Sequence, residues 1–327
     1  MNILTFSASP KKIWVDNPRR MLNPSYWLLG ALMKRLARDM TVFVVPESMD
    51  ATGRLKMYRG EKIDMMVIMG VAYSPPTIGS SFKRGFVRHR RAFDIGCVVS
   101  RVYERDRPLV VLLTVDVRGW YRDATECFGL EPDTVITEQE MRWQQVGYYV
   151  ARKLSSARMP DKQMRLGFSG HAKKRYSKFR LYMETLPIPA VVDGGAWENH
   201  LGHLPNVTLR GTKPFVESAA MLLDSQVGFV LHEPVGEVAG WITAKFFENL
   251  GFGCIAFTDK DYDSGGVVLP HDHSLRVTSP ADLAANLRKF DYDSWVELQN
   301  ELVDPAWMDF DAFFYEPFRS RLFADVV

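Results

Sequence analysis

The sequence predicts an α/β protein built from two successive, doubly wound parallel sheets. Three observations carry this. Short apolar runs alternate with amphipathic helical stretches from the N-terminus onward, the pattern of βαβ units with helices on both faces of a sheet. A polar stretch, SSARMPDK at 155–162, interrupts the alternation, which then restarts. The length, 327 residues, suits two domains of about 150 residues each.

The elements follow in order. Ile3–Ser7 is a short apolar run and reads as the first strand. Pro24–Arg38 carries Trp27, Leu28, Ala31, Leu32 and Leu36 at helical spacing and ends in basic residues, which suit a helix C-terminus. Thr41–Val45 and Met65–Met69 read as strands, the second followed by a Gly-Val-Ala-Tyr-Ser-Pro-Pro turn. Leu109–Val115 is continuous and apolar, as buried parallel strands are. Glu138–Leu154 predicts a helix with one apolar stripe. After the linker, Met164–Phe168, Ala190–Asp193, Val207–Leu209, Val227–Leu231 and Cys254–Phe257 read as strands. Lys173–Thr185, Phe215–Leu223, Ala239–Leu250, Pro280–Phe290 and Ser294–Val303 read as helices. Domains are expected over 1–155 and 163–305, with an aromatic C-terminal segment, 306–327, packing back on the first.

Composition narrows the class. Apolar residues make up 46% and charged residues 24%, which excludes a disordered, collagenous or coiled-coil chain. Cys97, Cys127 and Cys254 are odd in number and far apart. A disulfide scaffold or cysteine zinc site is therefore not expected, and a reducing compartment is. No run of 18 apolar residues exists, so no membrane span is expected. The start, MNILTFSASPKK, lacks the basic n-region of a signal peptide. The net charge of +2 divides unevenly, +9 over 1–160 against −7 over 161–327. A basic half beside an acidic half directs the first domain to an anionic partner.

Two segments carry the chemistry. In MRLGFSGHAKKRYSKFRLY, at 164–182, a strand ends at Gly167-Phe168-Ser169-Gly170, and His171, Lys173, Lys174 and Arg175 lead into a helix. Small residues let backbone amides approach an anion, and the helix N-terminus adds positive partial charge. Neither a Walker A loop nor a G-x-G-x-x-G fingerprint is present. Cations in the first turn oppose the helix dipole unless an anion joins them; a solvated basic helix start is the plain alternative. In the second segment, 227–263, a strand ends at His232-Glu233, a glycine-containing loop follows, and Lys245 and Glu248 share one helix face. Their plain reading is a surface ion pair worth about 0.2–0.5 kcal/mol.

The blocks GFSGHAKKRYSK, VVDG, VTLRGTKPF and GWITAKFFENLGFGCIAFTD, with LLTVDVRGW in the first half, resemble in order and spacing the DNA β-glucosyltransferase family of T-even bacteriophages. The likeness runs from Gly167 to about Asp263. It implies the GT-B fold, two Rossmann-like domains facing a cleft, and an inverting transfer from a UDP-sugar, glucose by default. It implies that Ser169 and Arg175 hold the diphosphate, with His171 standing where the family has a second arginine. Thr212 and Lys213 fall in the uracil-binding turn, Glu248 matches the ribose-binding carboxylate, and Lys245 replaces a diphosphate-binding arginine. Lysine lacks the bidentate fork. The loop HEPVGEVAG departs from the family, which leaves the sugar open. Asp116 matches the general base, and a turn aspartate paired with Arg118 is its plain alternative.

The implied acceptor is the hydroxyl of a modified pyrimidine, such as 5-hydroxymethylcytosine, in double-stranded DNA. SSFKRGFVRHRR supplies Lys83, Arg84, Arg88, Arg90 and Arg91, which with Arg118 suit a DNA backbone. The resemblance further implies a monomer, the cytoplasm of an infected bacterial host, and assistance by magnesium or manganese. No residues are assigned to a metal; Asp259, Asp261 and Asp263, and likewise His271 and His273, read as surface loops. Two other readings stay open: a GT-B enzyme with a small-molecule, lipid or protein acceptor, and a non-catalytic protein that binds DNA or a nucleotide.

Overall fold

The computed structural model describes residues 1–7, 24–46, 62–71, 108–115, 133–137, 140–155, 161–232 and 242–324. The chain forms two compact units.

The first unit contains a five-stranded parallel sheet of β1 (Asn2–Ser7), β2 (Thr41–Pro46), β3 (Met65–Val71), β4 (Leu109–Val115) and β5 (Thr134–Ile136), in the order β2-β1-β3-β4-β5. Helix α1 (Pro24–Leu36) connects β1 to β2, and its Leu28, Ala31, Leu32 and Leu36 are buried. Residues from Asp311 onward belong to this unit. Asp311 accepts a 2.5 Å bond from Arg35, and Arg321 meets Glu140 at 3.3 Å. Both pairs are partly exposed and contribute little individually. The buried rings of Phe313, Phe314 and Phe318 contribute more, by removing apolar surface from water.

The second unit contains residues 144–310. Helix α2 (Val146–Ser155) belongs to it, although the sequence places these residues in the first domain. The expected helix from Glu138 starts only at Val146. Before it, the Glu140 carboxylate accepts from Thr137 N–H and Oγ–H, closing a local turn, and Arg142 takes a left-handed backbone (φ 50°) that a helix does not tolerate. Next come β6 (Gln163–Ser169), α3 (Tyr176–Glu184), β7 (Ala190–Asp193), α4 (Glu198–Leu201), β8 (Val207–Gly211), α5 (Phe215–Leu223) and β9 (Ser225–Val230). Then follow α6 (Ala244–Phe252), β10 (Ile255–Asp259), β11 (Arg276–Val277), α7 (Pro280–Arg288), α8 (Tyr292–Asn300) and, in the first unit, α9 (Glu316–Leu322). The sheet order is β11-β10-β9-β6-β7-β8, parallel throughout.

That order reverses between β6 and β9. In doubly wound sheets a crevice opens outside the carboxyl ends of the strands at such a switch point. An aromatic cluster stiffens this end. Phe179 of α3 packs on Phe168 of β6, on Phe229 of β9 and on Trp197, with ring centroids 4.3, 6.2 and 4.8 Å apart. Trp197 is fully buried, and its Nε1–H donates to the Gly170 carbonyl at 2.7 Å.

The loops after β6 and β7 approach as closely as backbone allows. A Cβ at Gly194 would lie 1.9 Å from the Gly170 oxygen, and Gly194 has φ 134°. Gly211 also has positive φ (70°), but a Cβ there meets nothing within 4 Å. Gly194→Ala should therefore cost at least about 3 kcal/mol, from strain and clash together. Gly211→Ala should cost about 1 kcal/mol, from strain alone. Urea denaturation of both variants checks the difference, and equal losses would contradict the tight contact.

Candidate functional site

The candidate site lies at the carboxyl end of the second sheet. Ser169 is the last residue of β6 and pairs in register with Asp193 of β7. A single 3₁₀ turn, Lys173–Arg175, leads into α3, whose first turn holds no acidic residue and whose N-terminus has no side-chain cap. Arg175 Nη1 donates to the Leu231 carbonyl just past β9, at 2.8 Å. This bond spans the switch point, so it brings the first loop of the unit to the strand on the opposite side of the reversal.

Three strand ends converge on the other side. Gly170 N–H donates to Asp193 O, Ala172 N–H to Gly195 O, and Gly194 N–H to Gly211 O. Asp193, buried at the end of β7, accepts from Ser218 Oγ at 2.8 Å and meets Arg210 Nε at 3.0 Å. The register slips between Val192 and Asp193, which pairs with Gly211. His171 is exposed, and its Nδ1 accepts from Gly195 N–H at 3.0 Å. Thr212 and Lys213 follow Gly211 and are exposed, with Lys213 3.7 Å from Glu217.

Lys245 and Glu248 stand on α6, as their spacing predicts, with Nζ 2.6 Å from Oε2. Their plain reading as a surface pair fails on one side. The Glu248 side chain is only 2% exposed, against 40% for Lys245. Close helix packing buries it: a Cβ at Gly147 of α2 would lie 2.7 Å from the Ala244 carbonyl and 3.2 Å from Glu248 Cγ. A buried carboxylate requires a counter-charge, and Lys245 supplies it while its own end reaches solvent. Before α6, Thr243 N–H donates to the Tyr262 hydroxyl at 3.0 Å, and the Tyr262 ring stacks on buried His232 at 4.6 Å. Burial, and secondarily Asp263, hold the Tyr262 phenol above its ordinary range.

The acidic run after β10 is not the surface loop expected. Asp259 is buried and accepts from Tyr182 Oη at 2.5 Å, with Lys178 Nζ 2.6 Å away. Asp261 takes the same lysine at 2.7 Å. Asp263 is fully buried and accepts the N–H groups of Val267, Val268 and Leu269. Arg276 fills the loop from within, donating to the carbonyls of Lys260, Tyr262, Asp263 and Leu269. These carboxylates are committed to cations and amides of the chain itself and do not fit a metal ion. Among the described residues no group of three or more His, Cys, Asp or Glu residues is gathered for one. His271 is exposed and His273 half-buried.

Ser169, His171, Arg175, Thr212, Lys213, Lys245 and Glu248 thus all lie in the second unit, Ser169 at the end of β6 and the others on the loops or helices that follow its strands. Asp116, Lys83, Arg84, Arg88, Arg90, Arg91 and Arg118 lie outside the described residues, as does the loop 233–241. Spacing alone does not reveal Gly195, Trp197 or the Arg210–Asp193 pair as parts of the site. The Gly-Gly that follows β7 was the available signal. Among the described residues no helix is long and apolar enough to cross a membrane.

No family model matches the sequence, and no curated protein matches it. Solved structures do match along nearly the whole chain. AviGT4, a glycosyltransferase involved in avilamycin A biosynthesis, is 12% identical with a TM-score of 0.52, over 99% of this chain and 98% of that one. A candidate UDP-N-acetylglucosamine 2-epimerase from Listeria monocytogenes is 11% identical with a TM-score of 0.53, over 98% and 96%. MnaA of S. aureus, solved with UDP, is 9% identical with a TM-score of 0.50, over 99% and 96%. At these identities the likeness is one of fold, the GT-B class with two Rossmann-like α/β units.

The Lys245–Glu248 pair makes a stability prediction. Lys245→Met strands a buried carboxylate and should destabilise the protein by about 1–3 kcal/mol. Adding Glu248→Gln to that variant should restore part of the loss, because the stranded charge is gone. A double-mutant cycle by chemical denaturation measures this.

Proposed function

We propose that this protein is a UDP-sugar-dependent glycosyltransferase. In this reading the second unit binds the nucleotide sugar, and the sugar passes to the hydroxyl of a modified pyrimidine in duplex DNA. The observation that carries the donor half is the switch point between β6 and β9, with Arg175 joined to the end of β9 and the uncapped α3 beginning beside it. Backbone amides and a fixed guanidinium there suit a diphosphate. The GT-B neighbours support the same half, since the S. aureus protein was solved with UDP. The acceptor half rests on the sequence, on the basic run with Lys83, Arg84, Arg88, Arg90 and Arg91 and on the resemblance given above.

The chemistry follows from the groups. The acceptor oxygen attacks the anomeric carbon from the face opposite the leaving UDP, and the carbon–oxygen bond to the diphosphate breaks. Asp116, the residue after β4, takes the hydroxyl proton; a positioned base contributes roughly 10²–10⁴-fold. Arg175, Ser169 and Lys245 stabilise the charge that develops on UDP. Glu248 holds the ribose hydroxyls, exchanging Lys245 for them as a partner. An acceptor base within a duplex must leave the stack to be reached, at a cost of a few kcal/mol.

Nucleoside mass spectrometry tests the whole reading. Duplex DNA with 5-hydroxymethylcytosine, and unmodified DNA as control, is incubated with UDP-glucose and UDP-N-acetylglucosamine and then digested. A hexose mass gain on the modified base alone is expected. Conversion of the free UDP-sugar without transfer would replace the reading with an epimerase, and UDP binding with neither reaction would leave a nucleotide-binding protein. Asp116→Ala should abolish transfer while UDP still binds. Glu248→Ala should weaken UDP binding by about 1–3 kcal/mol in calorimetry.

A further inference from the structure

One buried carboxylate holds both ends of the segment after β8. Asp193, the last residue of β7, has a side chain only 2% exposed. Its Oδ2 accepts Ser218 Oγ–H, from α5, at 2.8 Å. Its Oδ1 meets Arg210 Nε at 3.0 Å, as an ion pair off the line of a hydrogen bond. The same guanidinium reaches forward, and its Nη2 donates to the Glu217 carbonyl at 3.2 Å. Arg210 and Ser218 flank the segment 211–217, so these contacts form a clasp across it.

The strand register makes Arg210 available. Val192 pairs with Leu209 and Asp193 with Gly211, which leaves Arg210 as the extra residue of a bulge. Bulges re-aim side chains and are over-represented beside active sites. A buried carboxylate needs a counter-charge, and the bulge delivers one from the neighbouring strand.

The clasped segment borders the candidate site on two sides. Thr212 Oγ1 lies 3.2 Å from the Cβ position of Gly195, in the loop after β7. The Phe215 ring lies 5.8 Å from Lys245 Nζ, on α6. Between them Thr212, Lys213 and Pro214 are exposed. Because β8 stands two strands from β6, the segment starts about 10 Å across the sheet from the loop that suits the diphosphate. The sugar must remain free to react, so the nucleoside end is the part of the donor that meets the segment.

We infer that Asp193 is a positioning residue for the nucleotide: with Arg210 and Ser218 it fixes the segment 211–217, which receives the nucleoside. The inference rests on the nucleotide reading of this site and adds which residues set its shape.

NMR titration with UDP and with inorganic pyrophosphate, which has no nucleoside, tests it. Arg210→Lys keeps the counter-charge of Asp193, so the fold should persist, but one ammonium cannot span Asp193 and the Glu217 carbonyl as a guanidinium does. This variant should bind UDP roughly three- to tenfold more weakly, the worth of one hydrogen bond, and pyrophosphate as before. Arg210→Met combined with Asp193→Asn opens the clasp without stranding a charge, and should weaken UDP binding at least as much. In the wild type, the amide resonances of Thr212 and Lys213 should move with UDP and stay still with pyrophosphate. Unchanged UDP affinity in both variants, with stability alone reduced, would overturn the inference and leave the clasp a purely structural contact. Equal losses for the two probes, or Thr212 and Lys213 amides that ignore UDP, would overturn it as well. Pyrophosphate that moves no amide of the loop after β6 would remove the placement of the diphosphate from which the inference starts. Wild-type protein that does not bind UDP would overturn the nucleotide reading itself, a result distinct from the others.

Discussion

The contact on which the candidate site depends is the approach of Gly194 to the carbonyl of Gly170. That oxygen occupies the space of a missing side chain and accepts the indole N–H of Trp197, itself buried among Phe168 and Phe179. The loops after β6 and β7 are locked together by it, and the loop after β8 joins through Gly194 N–H and the Gly211 carbonyl. His171 finds Gly195 only because of this register. Ligand groups placed on rigid strand ends hold their geometry better than groups on free loops, and here the rigidity comes from two residues without side chains and one large ring.

The opposite side of the reversal is built differently. There the tight packing of α2 against α6, through Gly147 and Gly251, buries Glu248 and leaves Lys245 at the edge. A carboxylate removed from water keeps its charge only beside a cation or strong donors. Any ligand that reaches Glu248 must offer donors of its own, as vicinal hydroxyls do. The loop after β10 stays out of this chemistry, because Asp259 and Asp263 already hold Lys178, Tyr182 and a row of amides. Their buried charges organise the fold around Tyr262, which in turn steadies the start of α6.

Much of this was legible in the residues. Continuous apolar runs mark strands buried on both faces, and Phe215–Leu223 was predicted with the bounds it has. The spacing of Lys245 and Glu248 implied a shared face, and they are in contact. Other features were not legible. The three-residue strand β5 and the two-residue β11 are too short to show a period. The late start of α2 depends on one left-handed residue, Arg142, for which the side-chain type gives no warning. The Asp259–Asp263 run looked solvated because alternating aspartates usually are; only Lys178, arriving from a distant position, and the amides of Val267, Val268 and Leu269 make the burial of Asp259 and Asp263 tolerable.

By itself, then, the sequence determined the class: two α/β units, the order of their elements, and the residues that bear charge and donors at the ends of strands. These are local properties, set by hydrophobic period and turn chemistry. The tertiary structure alone decided which of those residues meet. Placing β9 beside β6 brings Arg175 to Leu231, 56 positions away, and placing β7 between β6 and β8 turns His171 toward Gly195 and Thr212. Whether a carboxylate is a surface partner or a buried one, and which backbone amide a histidine ring meets, depends on neighbours that chain order does not list. Those neighbours arise from the strand order, which is settled by the packing of the whole sheet.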